Sequence, residues 1–188
     1  MLQDEVNNAV EVLRKGGVIL YPTDTVWGIG CDPTNADAVK RVFEIKRRED
    51  SKSMICIVDD PNRIVRYVRD IPDVAWDMLQ LATTPLTLIL DDVKGLAPGM
   101  TAEDGSAGFR VTSEEFSKTL CYRFQKPIVS TSANISGEPT AKTFDDISDK
   151  IKNAVDYIVK YNRRCKEKHS PSKIVKICNN NEIKIIRG

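Results

Sequence analysis

Val18-Ile19-Leu20-Tyr21-Pro22-Thr23-Asp24-Thr25-Val26-Trp27-Gly28-Ile29-Gly30 decides how the rest of the chain is read. Four apolar residues run together, then a proline stops them and a stretch of hydroxyls, a carboxylate and two glycines follows. A short continuous apolar run bounded by breakers is a strand buried on both faces, and the polar segment after it is a loop. Upstream, residues 3–15 place Val6, Val10 and Leu13 on one helical face, and Gly16-Gly17 ends that helix. The unit is therefore helix, turn, buried strand, polar loop. It recurs: Asn35 caps a helix carrying Val39, Val42, Phe43 and Ile45, which leads to a strand at Met54–Val58. Asp60-Pro61 and Pro72 open two further helices, the second through Trp76 and Leu79, before a strand at Leu86–Leu90.

The pattern continues with a glycine-rich segment from Gly95 to Gly108 that reads as a mobile loop, offered as a lid over substrate. A strand at Ala107–Val111, a helix from Ser113, and a strand at Ile128–Ser130 follow. After a polar loop, Thr143 is expected to cap a short helix with Asp146 in the capping box. Strands at Tyr157–Val159, Lys173–Ile177 and Ile183–Ile186 complete the chain. Strands alternating with helices predict an α/β fold, residues 1–188 forming one domain around a twisted mixed β-sheet flanked by helices.

With 188 residues the chain can bury about 70% of the surface its unfolded form exposes, so it needs no staples. Its 28 Lys and Arg against 27 Asp and Glu give +1, which excludes a histone-like polycation. A single histidine, His169, excludes a three-histidine zinc site and leaves one residue for any Ser-His-Asp triad. The five cysteines form no CxxC pair and read as buried thiols. There is no long apolar segment and no signal-peptide pattern, so a cytoplasmic protein without membrane contact is expected. The near-neutral total hides an asymmetry. From Ile147 onward eleven Lys and Arg face four Asp and Glu, a local +7, against −6 before it. That stretch is either a contact surface for phosphate or RNA, or a solvated face.

Three polar segments carry candidate chemistry, each beside a buried strand, where open α/β sheets bind ligands. Thr23, Asp24 and Thr25 can grip a small polar ligand, with Gly28 and Gly30 allowing close backbone approach. Lys46, Arg47 and Arg48 close a helix, with Lys52 beyond. Lys46 and Arg48 diverge by about 200° on a continuous helix and converge only if it ends there. The third segment, Ser130-Thr131-Ser132-Ala133-Asn134-Ile135-Ser136-Gly137-Glu138-Pro139-Thr140, packs five hydroxyls and an amide into eleven residues. Such a loop offers neutral donors to phosphate oxygens or oxygens to magnesium. Neither a Walker A loop nor a GxSxG elbow occurs anywhere.

In these segments, together with Phe109-Arg110-Val111, Pro171-Ser172-Lys173-Ile174-Val175 and Ile185-Ile186-Arg187-Gly188, the sequence resembles the YrdC-like family of threonylcarbamoyl-AMP synthases. The resemblance implies a single YrdC-like domain with an open concave ligand face. It implies a nucleotidyltransferase that joins L-threonine, bicarbonate and ATP into threonylcarbamoyl-AMP and releases pyrophosphate. The product would pass to a separate threonylcarbamoyl transferase for the t6A modification of tRNA. By position, Lys46 and Arg48 would be the catalytic pair on the ATP phosphates, joined by Lys52, Ser132, Asn134, Thr140 and Arg187. Thr25, Ser106, Arg110, Ser130 and Ser172 would surround threonine, Arg110 facing its carboxylate. Magnesium would ride on the ATP oxygens.

The chain departs from the family pattern at several points. Trp27 stands where tyrosine is common, Thr83-Thr84-Pro85 replaces a Pro-Gly-Pro, and Ile57 occupies the region where some members place a threonine-binding histidine. Ending at Gly188, the chain is expected to lack the additional carboxyl-terminal domain of longer relatives. The alternative reading is a YrdC-like paralogue that acts mainly as an RNA- or nucleotide-binding protein, in contact with tRNA or double-stranded RNA.

Overall fold

A computed structural model describes residues 1–47, 54–164 and 171–188. The first unit is as expected: α1 (Leu2–Arg14) turns at Gly16, whose φ is positive, into β1 (Ile19–Tyr21). β2 (Gly28–Gly30) follows as a strand, where the sequence alone implies only a loop. Glycine is a poor strand former, and tertiary packing selects it here. A Cβ on Gly30 would lie 2.6 Å from Tyr21 Cε1 and 2.7 Å from the Val129 carbonyl, so only glycine lets the Tyr21 phenol reach across to donate to Val129 O.

Next come α2 (Ala36–Lys46), capped by the Asn35 side chain, and β3 (Ile55–Val58). Asp60-Pro61 opens a 3-10 helix (Pro61–Arg66), followed by α3 (Asp73–Leu81), β4 (Leu86–Leu90) and β5 (Ala107–Val111). α4 (Glu115–Phe124) is capped by Glu114, whose carboxylate accepts from the Phe116 and Ser117 amides. β6 (Ile128–Ser132) leads into the hydroxyl-rich loop. Asp146 does accept from the Thr143 amide and hydroxyl, yet only a turn forms; the helix, α5 (Asp149–Ala154), begins after Ser148. β7 (Tyr157–Ile158), β8 (Lys173–Ile177) and β9 (Ile183–Arg187) finish the described chain.

Among the described residues these strands form one sheet, ordered β7-β1-β2-β6-β3-β5-β4-β8-β9, with parallel and antiparallel pairs mixed. Alternation along the strands sorts side chains between two faces. Leu20, Cys56, Val58, Leu88, Leu90, Phe109, Val129, Val175 and Ile177 enter one core with Val39, Val42, Ala75, Leu79 and Ile151 of α2, α3 and α5. Ile19, Tyr21, Ile57 and Ile128 enter the other, under α1 and α4. The second core covers only part of its face. Residues of the same parity farther along, among them Ser130, Arg110 and Thr87, belong to neither core and line a cavity instead.

The Gly95–Gly108 segment is tied down rather than loose. Ala97 donates to Pro33 O, Val93 to Gly105 O and Ala102 to Ser106 O, while Met100 is fully buried. Lys176 of β8 pairs with both Asp91 and Asp104, fixing the segment's two ends to the sheet. Part of the basic tail is thus used internally, as are Lys152 and Arg163, which lie over the Phe144 ring at 5.0 and 4.8 Å. No described helix is long and apolar enough to cross a membrane. Cys31, Cys56 and Cys121 are buried free thiols and Cys178 is half-buried; Cys165 lies outside the described residues.

Candidate functional site

The uncovered part of the sheet face floors a cavity of about 500 Å³. Strand register brings its polar side chains together. Thr87 of β4 stands opposite Arg110 of β5, and Arg110 stands opposite Ile57 of β3. One step along, Ile55 pairs with both Gly108 and Ser130. Thr23, Thr25 and Val26 form one wall, while Ser132, Thr140, Ala141 and Lys142 contribute a second. The third wall is Pro171, Ser172, Ile174 and Arg187.

Arg110 is the electrostatic centre. It is 3% exposed, and its Nη2 lies 3.0 Å from Asp24 Oδ1, Asp24 being nearly as buried. Arg110 Nε is buried without a hydrogen-bond partner, so the guanidinium keeps a donor beyond its pairing with Asp24. A planar, always-charged fork that is already held on one side is suited to a second planar anion, such as a carboxylate. Thr23 Oγ1 accepts from the Thr25 amide, lies 3.2 Å from Thr25 Oγ1 and donates to Val26 O, which fixes the loop carrying Asp24.

The helix bearing Lys46 does end there: Arg47 adopts the left-handed conformation at φ 48°. Lys46 is 2% exposed and donates to the carbonyls of Ser132 and Asn134, while the Ser136 amide donates back to Lys46 O. It thus stands behind the wall formed by the 132–136 loop. Asn134 also lies outside the cavity lining; its amide donates to Ile135 O and Glu138 O, closing the loop on itself. Ser106, four residues before Arg110, is buried but spends its hydroxyl on Asp104 and does not line the cavity. Arg48 and Lys52 lie outside the described residues, as does His169.

Of the residues singled out in the sequence, the cavity therefore gathers Thr23, Thr25, Gly28, Arg110, Ser130, Ser132, Thr140, Ser172 and Arg187. Sequence reading missed Thr87 and Lys142. Thr87 sits inside an apolar strand with no local signal, and only its register against Arg110 reveals it. No thiol among the described residues is poised as a nucleophile in the cavity: burial pushes Cys31, Cys56 and Cys121 above the ordinary range, and burial likewise raises the Tyr21 phenol.

This is an open-sheet α/β protein whose uncovered face is suited to a small polar anion, through a buried arginine amid hydroxyls. A sequence model of the Sua5/YciO/YrdC family, described as telomere recombination, matches residues 11–188, and the chain belongs to that family. It is 36% identical over 160 residues to a threonylcarbamoyl-AMP synthase of Pseudoalteromonas translucida, covering 84% of this chain and 86% of that protein. A threonylcarbamoyl-AMP synthase of Pseudomonas aeruginosa is 39% identical over 138 residues, 72% of this chain and 73% of its own. Among solved structures, E. coli YciO superposes with a TM-score of 0.84 at 26% identity, over 98% of this chain and 89% of that one. P. abyssi Sua5 complexed with L-threonine shares the fold, with a TM-score of 0.80 at 23% identity over 91% of this chain. The chain spans about half the length of that Sua5 protein, 50% of it in the superposition.

Proposed function

We propose that this protein is an enzyme, a nucleotidyltransferase that makes L-threonylcarbamoyl-AMP from L-threonine, bicarbonate and ATP and releases pyrophosphate. The observation that carries the reading is Arg110: a buried guanidinium with an unspent Nε–H, at the floor of a hydroxyl-lined cavity of about 500 Å³. The names of relatives up to 39% identical, and the L-threonine complexed with P. abyssi Sua5, support the same substrates.

The chemistry asks little covalent work of the protein. The neutral amine of threonine adds to carbon dioxide with loss of a proton, or to bicarbonate with loss of water, to form a carbamate, and a carbamate oxygen then displaces pyrophosphate at the α-phosphorus of ATP. Catalysis by holding the reactants in line and offsetting their charge suits a cavity lined by hydroxyls and arginines. Arg110 takes the threonine carboxylate, with Thr25, Ser130 and Ser172 around the reacting end. Ser132 and Thr140 face the nucleotide, and Lys46 with Asn134 holds the loop that carries Ser132. Arg48 and Lys52, from the sequence alone, would meet the phosphates. Magnesium enters with ATP as part of the substrate. Among the described residues no three His, Cys, Asp or Glu gather into a metal cage, and an ion held by phosphate oxygens and water needs none. The product would pass to a transferase acting on tRNA.

The test is direct. Purified protein incubated with ATP, L-threonine and bicarbonate should yield pyrophosphate and the adenylate adduct by mass spectrometry, and omission of either threonine or bicarbonate should abolish both. Absence of adduct in the complete mixture would overturn the reading.

A further inference from the structure

Three cations line the cavity among the described residues: Arg110, Lys142 and Arg187. Two of them are committed to protein partners. Arg110 is held by Asp24 at 3.0 Å, and Arg187 donates from Nε to Ser172 O at 2.9 Å and from Nη2 to Ser172 Oγ at 3.2 Å. Lys142 is exposed, and among the described residues its ammonium makes no hydrogen bond or ion pair. Asp146 is the carboxylate whose pKa its charge helps to lower, but Asp146 is held by the Thr143 amide and hydroxyl at 2.9 Å each, and the Lys142 charge is the least of the influences on it.

The backbone that carries Lys142 is firm. Beyond the Thr143–Asp146 turn, Phe144 packs on Trp27 with ring centroids 4.9 Å apart, and Trp27 is 7% exposed. Arg163 lies 4.8 Å over the Phe144 ring and is itself fixed by donating to Ile158 O and Val159 O at 2.7 and 2.8 Å. A cation over an aromatic face is attracted by the ring quadrupole, so Phe144 is gripped from the side of Arg163 as well as by Trp27. Lys142 thus starts from anchored backbone, and its compact ammonium rides on a flexible four-carbon stem.

The direction of the reaction assigns that charge. With the threonine carboxylate on buried Arg110, the carbamate attacks from the cavity floor. In an in-line displacement the attacking and leaving oxygens lie on opposite sides of the phosphorus. The carbamate O–P bond therefore forms on the floor side while the bond from the α-phosphorus to the bridging oxygen breaks on the open side. Its electron pair leaves with pyrophosphate, and no proton changes hands. Negative charge gathers on the leaving group at the exposed edge, where Lys142 stands, and a cation placed where charge develops lowers the barrier.

We infer that Lys142 is a catalytic cation that meets the β- and γ-phosphates of ATP and accompanies the departing pyrophosphate. The inference rests on the synthase reading above. It gives the loop-built wall a charge that Ser132 and Thr140, as neutral donors, do not supply.

The experiment compares Lys142→Gln and Lys142→Arg with the wild-type protein. Both should unfold within about 2 °C of it, as at other exposed positions. Lys142→Gln should lower kcat/KM for ATP in adduct formation by roughly 10- to 100-fold. KM for threonine should stay within about twofold, and in the reverse reaction, run from purified adduct, KM for pyrophosphate should rise at least about fivefold. Lys142→Arg keeps the charge and should recover most of the loss. Unchanged kcat/KM for ATP or unchanged KM for pyrophosphate in Lys142→Gln, a loss shared equally with threonine, a large fall in unfolding temperature, or a Lys142→Arg variant as impaired as Lys142→Gln overturns the proposal. Should the wild type make no adduct, the synthase reading fails, and titration calorimetry with ATP and AMP decides Lys142 by itself. Weaker binding of ATP with unchanged binding of AMP in Lys142→Gln upholds the contact with the outer phosphates, and any other result overturns it.

Discussion

The two halves of the cavity are built differently. The strand-built half, Arg110, Thr87 and Ser172, with Asp24 paired to Arg110, is buried and set largely by strand register. The other half, from Ser132 to Lys142, is a polar loop whose residues 136–140 are exposed, and it is held from behind by one lysine. A site on strands gains its precision from the sheet hydrogen bonds, whereas a site on a loop needs its own fasteners and can move with its ligand. The contrast suits a reaction that must fix one small reactant closely and admit a large polyanion.

Breaking the register-built half should have the largest effect. Arg110→Ala leaves Asp24 in a buried site without its arginine, and removing one member of a buried pair typically costs about 3–5 kcal/mol. Thermal unfolding should fall by roughly 6–20 °C for a chain of this size, and adduct formation should fall by at least about 100-fold through loss of the carboxylate clamp. Replacing both, Asp24→Leu with Arg110→Leu, should recover much of the stability and none of the activity. Recovery of activity in the double variant would show that the pair is structural only.

Breaking the loop-built half should cost less and show in a different observable. Lys46→Met removes a charged donor from the Ser132 and Asn134 carbonyls, where a bond to a charged group is worth about 1.5–3 kcal/mol. Adduct formation should drop while calorimetric affinity for L-threonine stays within about twofold, because Lys46 braces the 132–136 loop through its ammonium and its own carbonyl and lines no part of the strand-built half. Equal loss of threonine affinity would mean that the two halves are coupled through β6.

The same contrast explains what the sequence disclosed. Loop residues such as Thr25, Ser132 and Thr140 stand in dense polar motifs that announce themselves in one dimension. Thr87 does not, since a lone threonine in Leu86–Leu90 reads as an ordinary pleated position; its role exists only once β4 is laid against β5 and β8. β2 was illegible for a related reason: Gly-Ile-Gly has no strand propensity, and the need to pass the Tyr21 ring appears only in three dimensions. Lys46 was found by its motif, but its target was not, because the carbonyls it meets are 86 and 88 residues away. Composition misled most at Gly95–Gly108, where glycine content implied mobility and long-range bonds supply order.

That segment gives the smallest and most specific test, since it is a loop built as firmly as the register half and leads directly into β5 and Arg110. Hydrogen bonds from Lys176 and from the Ser106 hydroxyl and amide hold the Asp104 carboxyl well below the usual carboxylate range. A carboxylate whose folded pKa is depressed contributes stability that is complete above its unfolded value, near 3.8, and is lost as pH falls through the lower folded value. Asp104 is more than half exposed, so solvent screens the pair and the effect on global unfolding should be slight. Amide exchange in residues 102–106 reads it locally. Protection there should hold at neutral pH and weaken below about pH 4, and Asp104→Asn should show the weakened protection already at pH 7, with exchange in β3 and β6 unchanged. Uniform protection in wild type and variant across that range would mean that the buried Met100 and the backbone bonds alone hold the segment, leaving Lys176 free to be counted with the exposed basic tail.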